Sequence, residues 1–305
     1  MKLAHPYVLW SLVALAGGFG WWQKTLAKAD SGEPPPVVSA ETPGAGAGPV
    51  SKSPEFVAEL GVFSPIGAGI EYGRFPLGKE SALGDSTARI VRVDPTIATL
   101  RVGSSSLSDH QSHAASAWAG EAKHVAVINT SMYAEDYESS VGFFRVRGVQ
   151  KNGQWAKQQN SAIALSGKSF RLLNFGCDEV AAARRDWPTL VQSIRMLGCS
   201  RENVWAEETR GWSSALIGMD SQGRALFIHT RSPYTMHALV DLLLALPLDL
   251  EALHYCEGGP EASLFVRGTE MEEKNVGSFE TGFRRDDSNT EEWPLPNVLI
   301  AESPE

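Results

Sequence analysis

The stretch from Gly223 to Arg267 constrains the fold more than any other part of the chain. Ala225–His229 is a short apolar run of the length a buried strand shows. Ser232 and Pro233 then read as a helix start, because proline at the first helical position gives up an N–H that has no partner there anyway. Met236, Leu239, Val240, Leu243 and Leu244 follow at helical spacing and form one apolar stripe. Pro247 cannot continue the helix. Leu253–Cys256 is the next strand, Glu257-Gly258-Gly259 ends it, and Ser263 opens another. The predicted order is strand, helix, strand, tight turn, strand. Chemistry in sheets with crossover helices is usually placed at strand ends, and glycine there lets a ligand or another backbone come close. Glu257 is therefore the first candidate for a functional group.

Elsewhere the pattern predicts many short strands. Gly69–Phe75, Ala88–Val93, Ala98–Val102, His124–Asn129 and Gly142–Gln150 are apolar or alternating runs flanked by turn residues, the last turning at Lys151-Asn152-Gly153. Ser161–Leu165 and Ser169–Leu173 are two more. Asp220-Ser221-Gln222-Gly223 joins Ser213–Met219 to Arg224–His229 as a hairpin. His110–Glu121 reads as a short helix capped by Asp109, and Trp187–Arg195 carries apolar residues at helical spacing. Phe279–Phe283 and Pro294–Ile300 close the domain. Many strands with few helices, one of them a crossover, predict an α+β fold around a mixed sheet, in one domain over 55–305.

The N-terminus reads as a targeting segment. Lys2 and His5 precede an uncharged stretch, Tyr7–Trp22, and Ala27-Lys28-Ala29 offers small residues at signal-peptidase spacing. Residues 1–29 are thus a cleaved signal peptide or a retained inner-membrane anchor through 7–22, and either outcome makes the rest periplasmic or otherwise extracytoplasmic. Residues 30–54, rich in Pro, Gly and Ala, form a flexible linker. Without residues 1–29 the chain has 24 basic against 36 acidic residues, a net charge of −12. Such a balance argues against nucleic acid as a partner, since that binding rests on Lys and Arg neutralising phosphates. Of the three cysteines, Cys177 and Cys199 sit in turn-like settings and are the better disulfide pair in an exported protein. Cys256, inside an apolar strand, reads as a buried thiol.

Five segments in order carry a resemblance: Val125–Tyr133 (V-A-V-I-N-T-S-M-Y), Val141–Gly148 (V-G-F-F-R-V-R-G), Gln192–Leu197 (Q-S-I-R-M-L), Trp212–Phe227 and Cys256–Val266 (C-E-G-G-P-E-A-S-L-F-V). Together, over roughly residues 60–300, the chain resembles the phosphodiester glycosidase family, its bacterial branch most of all. Members usually show Asn-Gly-Gly-Phe where this chain has Asn129-Thr130-Ser131-Met132, and Asp-Gly-Gly-Gly-Ser where it has Glu257 to Ser263. The resemblance implies an exported hydrolase that cleaves a glycosyl-phosphate bond in a sugar-phosphate or polysaccharide substrate, with no cofactor.

That chemistry needs a carboxylate to act on water or to stabilise an oxocarbenium-like state, and donors to hold a phosphate. Glu257 fits the first role and the Gly258 and Gly259 amides the second. Arg195 or Arg210 supplies a fork of donors, and Asn129, leaving a strand end, binds sugar hydroxyls. Ser213 stands where the family often carries an arginine, and His229 and His237 flank the helix within reach of the site. Structural readings stand beside these: Glu257 as a cap on turn amides, Asn129 as a turn residue, Arg195 paired with an acid, Glu261 and Ser263 as scaffold. Ser213 and Ser214 lack the Gly-x-Ser-x-Gly elbow of a serine hydrolase. His110 and His113 have metal-like spacing with nothing to complete a ligand set. A non-catalytic carbohydrate-binding or envelope polysaccharide assembly protein on the same fold is the alternative reading. The sequence carries no signal for oligomeric state.

Overall fold

The computed structural model describes residues 59–280 and 285–304. The expected targeting segment and linker over 1–54 lie outside the described residues, as does part of the Phe279–Phe283 run. In chain order the elements begin with β1 (Ser64–Gly67), β2 (Ile70–Pro76), β3 (Thr87–Val93) and β4 (Thr99–Ser104). Helix α1 (Ala115–Ala119) precedes β5 (Val125–Asn129), β6 (Phe144–Val146), β7 (Val149–Asn152), β8 (Ser161–Ser166) and β9 (Ser169–Asn174). Helix α2 (Val180–Asp186) leads to β10 (Thr189–Arg195), β11 (Trp212–Asp220) and β12 (Ala225–Tyr234). Helix α3 (Met236–Leu244) leads to β13 (Leu250–Gly258), β14 (Ser263–Arg267) and β15 (Glu272–Val276). Short β16 (Phe279–Glu280) and β17 (Arg285–Asp286) precede β18 (Asn297–Glu302).

Two sheets result. The larger runs β1-β2-β3-β12-β11-β13-β10-β6-β7, with β8 and β9 added beside β10, and the smaller runs β15-β14-β5-β18-β4. Period-two alternation explains how they stack. On β5, Ala126 and Ile128 join Ile217, Phe227 and Val91 of the larger sheet in one core, while Val125 and Val127 join Ala115 and Ala119 of α1 in another. The smaller sheet is therefore buried on both faces, by the larger sheet and by α1.

The fold is predominantly β, which corrects the α+β expectation. Every ladder between named strands is antiparallel, so the sheet is not mixed. The crossover exists: β12 and β13 run in the same direction on either side of α3. The tight turn after Asp220 folds β11 in as a hairpin with β12, so β11 lies between them and takes their hydrogen bonds.

Four local expectations also change. Trp187–Arg195 is not helical; Thr189–Ser193 are buried without a break in the middle of a sheet, and a run covered on both faces leaves no exposed stripe for a helix. The helix expected over His110–Glu121 shrinks to α1. Asp109 instead accepts the Gln111 N–H and faces His113 Nε2, and His110 takes a φ of +61°. Gly142–Gln150 splits into β6 and β7 at Arg147-Gly148, both at positive φ, the geometry a two-residue hairpin requires. Strand β12 runs through Ser232 and Pro233, and α3 starts later, where Thr235 Oγ1 accepts the Ala238 N–H. The stripe of Met236, Leu239, Val240 and Leu243 is buried as the spacing predicts. The Cys177–Cys199 disulfide is present, and Cys256 is a buried thiol. Among the described residues no helix is long and apolar enough to cross a membrane.

Candidate active site

The site grows from an irregularity at the end of β13. Ala215 of β11 opposes Glu257 and Leu216 opposes Tyr255, so Cys256 is an extra residue with no partner. A bulge of this kind re-aims the side chain that follows it. Directly opposed residues share a face, and Ala215 lies in the core between the sheets. Glu257 is thereby turned toward the mouth of the space between the sheets, where it is half-buried. The Gly258 N–H donates to Glu257 Oε1 at 3.1 Å. A Cβ on Gly258 would collide with Tyr255 Oη and the Trp212 indole, so this position needs glycine.

A single 3-10 turn, Gly259–Glu261, then carries the chain from the larger sheet to the smaller one. Buried side chains from both sheets grip it. Asn129, on β5, donates through Nδ2 to the Glu261 carbonyl at 3.0 Å and accepts the Ser263 N–H at 2.8 Å. His229, on β12, donates through Nε2 to the Ala262 carbonyl at 3.1 Å. Burial, and then the charge of Arg89, push the His229 imidazole down to about 3, so it holds the turn as a neutral donor. Ser213 Oγ accepts the Ser278 N–H at 2.8 Å, drawing Gly277 directly over the Gly259 carbonyl.

This grip places a second carboxyl group, Glu261, where it acts on Glu257. Burial, and then Glu261, push Glu257 well above the usual carboxylate range. Burial raises Glu261 to about 7. Two carboxyl groups that repel each other in a poorly hydrated place titrate as a pair and keep one proton between them over the intervening pH range. Tyr133 and Tyr137 feel both charges and face each other with ring centroids 5.6 Å apart. From the other side Tyr255 contacts Trp205, centroids 5.4 Å apart, and Trp205 Nε1 donates to Glu208. The result is a half-buried carboxyl pair bordered by aromatic rings, an arrangement suited to a sugar: an apolar ring face, polar hydroxyls and a place to move a proton.

Of the residues the sequence singled out, Glu257, Gly258, Gly259, Asn129, His229 and Ser213 converge on this turn. Three of them serve its backbone: the amide of Asn129, the Nε2–H of His229 and the hydroxyl of Ser213 are all engaged in holding it. Arg195 lies elsewhere, donating to Asn174 Oδ1 at 2.8 Å near the disulfide. Arg210 is half-buried and precedes β11, at the same end of that strand as the Ser214–Gly258 pair. His237 Nδ1 contacts the Trp205 carbonyl. His110 and His113 face Glu138 and Asp109. Sequence reasoning took Glu261 for scaffold and passed over Tyr133, Tyr137, Trp205 and Tyr255. The spacing Glu257-x-x-x-Glu261 across a Gly-Gly turn was the available signal. A depression of about 540 Å³, lined by Asp94, Lys168, Arg171 and Gln222, lies at the opposite end of β11 and β12, away from these groups.

Residues 122–302, which contain both carboxyl groups and the residues that hold their turn, match the phosphodiester glycosidase family model. The chain belongs to this family. The family is one of hydrolases acting on phosphodiester-linked sugars. Two solved structures share the fold. One is the catalytic domain of zebrafish N-acetylglucosamine-1-phosphodiester alpha-N-acetylglucosaminidase, auto-inhibited by its pro-peptide. It is 12% identical with a TM-score of 0.52, over 79% of this chain and 85% of that one. The other is a hypothetical protein from Synechocystis, 9% identical with a TM-score of 0.51, over 77% of this chain and 62% of that one. No curated protein matches the chain in sequence.

Proposed function

We propose that this phosphodiester glycosidase is an exported hydrolase that cleaves a glycosyl-phosphate bond, with Glu257 as its main carboxylate. The observation that carries the reading is the bulge at Cys256, which turns Glu257 into a half-buried, aromatic-lined opening at the end of the family-matched region. Water adds to C1 of the sugar as the C1–O bond breaks, and the bond's electron pair leaves with the phosphate monoester. Once ionised, a form that burial and Glu261 disfavour and the Gly258 N–H favours, Glu257 takes the water's proton and offsets the positive charge that develops on the sugar ring. Arg210 and the Gly259 amide, both at this end of the sheet, are the donors proposed for the phosphate. The tyrosine pair offers a platform for the sugar. Export follows from the charged start and apolar stretch at the N-terminus, and from a disulfide of the kind that persists in oxidising compartments.

The test uses the exported protein and Glu257→Gln on methyl phosphodiesters of α-glucose, α-mannose and α-N-acetylglucosamine 1-phosphates, with free sugar as the readout. Turnover by the wild type that falls at least 10³-fold in a folded Glu257→Gln protein is the expected result. Equal rates in the two proteins would move the main carboxylate elsewhere. Sugar binding without turnover would favour the carbohydrate-binding reading.

A further inference from the structure

We infer that the open depression at the far end of β11 and β12 is a second glycan site, which holds an acidic sugar unit of a polymer and does no chemistry on it. The choice of a glycan as its ligand follows the glycosidase reading, while the binding itself needs nothing from Glu257. Three separate parts of the chain meet there: the turn after β3, strand β9 with Trp187 just before β10, and the tight turn between β11 and β12. The depression holds about 540 Å³, within the range of roughly 300–1,000 Å³ usual for ligand sites. Ser214 of β11 opposes Gly258 beside the carboxyl pair, and Asp220 at the other end of that strand opposes Leu250. At about 3.3 Å per residue the two ends are roughly 20 Å apart. They are separate places on one domain.

The cations come from the β8–β9 hairpin. Arg171 directly opposes Ala164 of β8, so the two share a face of the sheet, and Leu173, two residues on, shares it too. Ala164 and Leu173 belong to the apolar cluster against which Trp187 packs. Arg171 and Trp187 therefore stand on the same face. Arg171 is exposed, and no carboxylate pairs with it among the described residues. Lys168 Nζ donates to the Thr96 carbonyl at 2.7 Å, which fixes an ammonium in the lining and leaves it two further N–H groups. Asp94, the acid of the lining, serves its own turn: Oδ1 accepts the Thr96 N–H at 2.9 Å and the Thr96 hydroxyl at 2.6 Å. The chain as a whole has a net charge of −9, so an anion is drawn to this place by these local cations and not by the general field.

An acidic sugar uses every part of this lining. The Arg171 guanidinium takes carboxylate or phosphate oxygens in a fork, and the Lys168 ammonium adds a point charge. Trp187 is half-buried: its packed side is held by the cluster, and its open side offers an apolar ring to the face of a sugar. Gln222 and the second carboxylate oxygen of Asp94 serve sugar hydroxyls. A bare inorganic anion would use the cations and leave the ring idle, and a neutral sugar would do the reverse. A polymer held here and at the carboxyl pair is bound at two points of one domain, which raises the effective concentration of its bonds at the catalytic end.

The experiment is calorimetric titration of the exported protein with tetragalacturonate and phosphorylated maltotetraose as acidic probes, maltotetraose as the neutral probe and inorganic phosphate as the bare anion. One acidic probe at least should bind more tightly than both controls, and the one that binds tells carboxylate from phosphate. The Lys168→Gln, Arg171→Gln double variant, which changes only exposed side chains, should lose about tenfold or more in affinity through the lost charge-assisted hydrogen bonds. Its turnover of a methyl phosphodiester should be unchanged, and Glu257→Gln should bind the acidic probe as wild type does. Because Trp187 also packs against the core, the double variant decides the matter. Acidic probes that do not bind, that bind the double variant equally well, or that lose their affinity in Glu257→Gln overturn the inference. So does a control that binds as tightly. A chain that turns over no phosphodiester yet holds the acidic probe through Lys168 and Arg171 loses the proposed function and keeps this site.

Discussion

Asn129 Nδ2 donates to the carbonyl oxygen of Glu261 at 3.0 Å, joining the end of β5 to a turn 132 residues later in the chain. With the Ser263 N–H accepted by Asn129 Oδ1, one buried amide fixes both sides of the turn that bears the second carboxyl group. The residue expected to bind a sugar thus shapes the site through the backbone.

Replacing Asn129 by alanine leaves two backbone groups without their partner in a buried place. Each such loss costs about 1–3 kcal/mol. The expected result is a lower melting temperature and, because a shift near 1 Å in a catalytic group costs on the order of 10²-fold, a comparable fall in sugar release. Calorimetry and the phosphodiester assay check it; an unchanged rate would show that the turn holds without the amide.

The carboxyl pair makes stability depend on pH. Glu261 binds its proton up to about 7 in the folded chain, against an ordinary 4.5, and Glu257 is raised too. Between those values the folded state holds more protons than the unfolded one, so this contribution is fully present below about pH 4.5 and is lost as pH rises through 7. Denaturant titrations of wild type and of the Glu257→Gln, Glu261→Gln double variant should show their difference shrinking as pH falls from 8 to 5. A difference independent of pH would contradict the shared proton.

His229 and His254 work in the opposite sense. Burial pushes both imidazoles down to about 3 from 6.5. Their contribution is present above pH 6.5 and is lost as pH falls toward 3. In His229→Gln, whose side-chain amide remains a neutral donor, the acid limb of stability between pH 6 and 4 should be shallower. The same slope in both proteins would mean that His229 charges without unfolding the chain.

Gly277 passes over the Gly259 carbonyl with no room for a Cβ. Gly277→Ala should destabilise by about 1–3 kcal/mol, the cost of forcing atoms into a packed place, and should lower activity by displacing the turn. Thermal unfolding and the rate ratio read the two effects separately.

The Cys177–Cys199 bond closes a loop over 22 positions and anchors the start of the segment that carries Trp205 and Glu208. Its removal in a double serine variant should cost about 3 kcal/mol on the chain-entropy model. An equal effect of reductant on wild type, absent from the variant, would confirm the source.

Much of the fold was legible in the chain. Apolar runs and alternation located β2, β3, β5, β8, β9 and the β11–β12 hairpin, and the stripe on α3 is buried where its spacing put it. Thr189–Arg195 misled because apolar spacing that suits a helix also occurs in a strand covered on both faces, and only the neighbours β6, β8 and β13 decide between them. Glu257 stood out through the two glycines after it. Glu261 did not, since nothing local separates a carboxylate facing water from one beside another carboxylate.

The sequence by itself determined which residues could be buried, where the chain must turn, which cysteines were free to pair, and membership of the phosphodiester glycosidase family. Those are properties of short windows, where hydrophobic period and turn chemistry act. The tertiary structure alone decided that every ladder between the named strands is antiparallel, that a bulge at Cys256 re-aims Glu257, and that Asn129 and His229 clasp the turn after it. The reason is distance along the chain: those outcomes depend on partners 33 to 132 residues apart, and only packing of the two sheets brings them within hydrogen-bond reach.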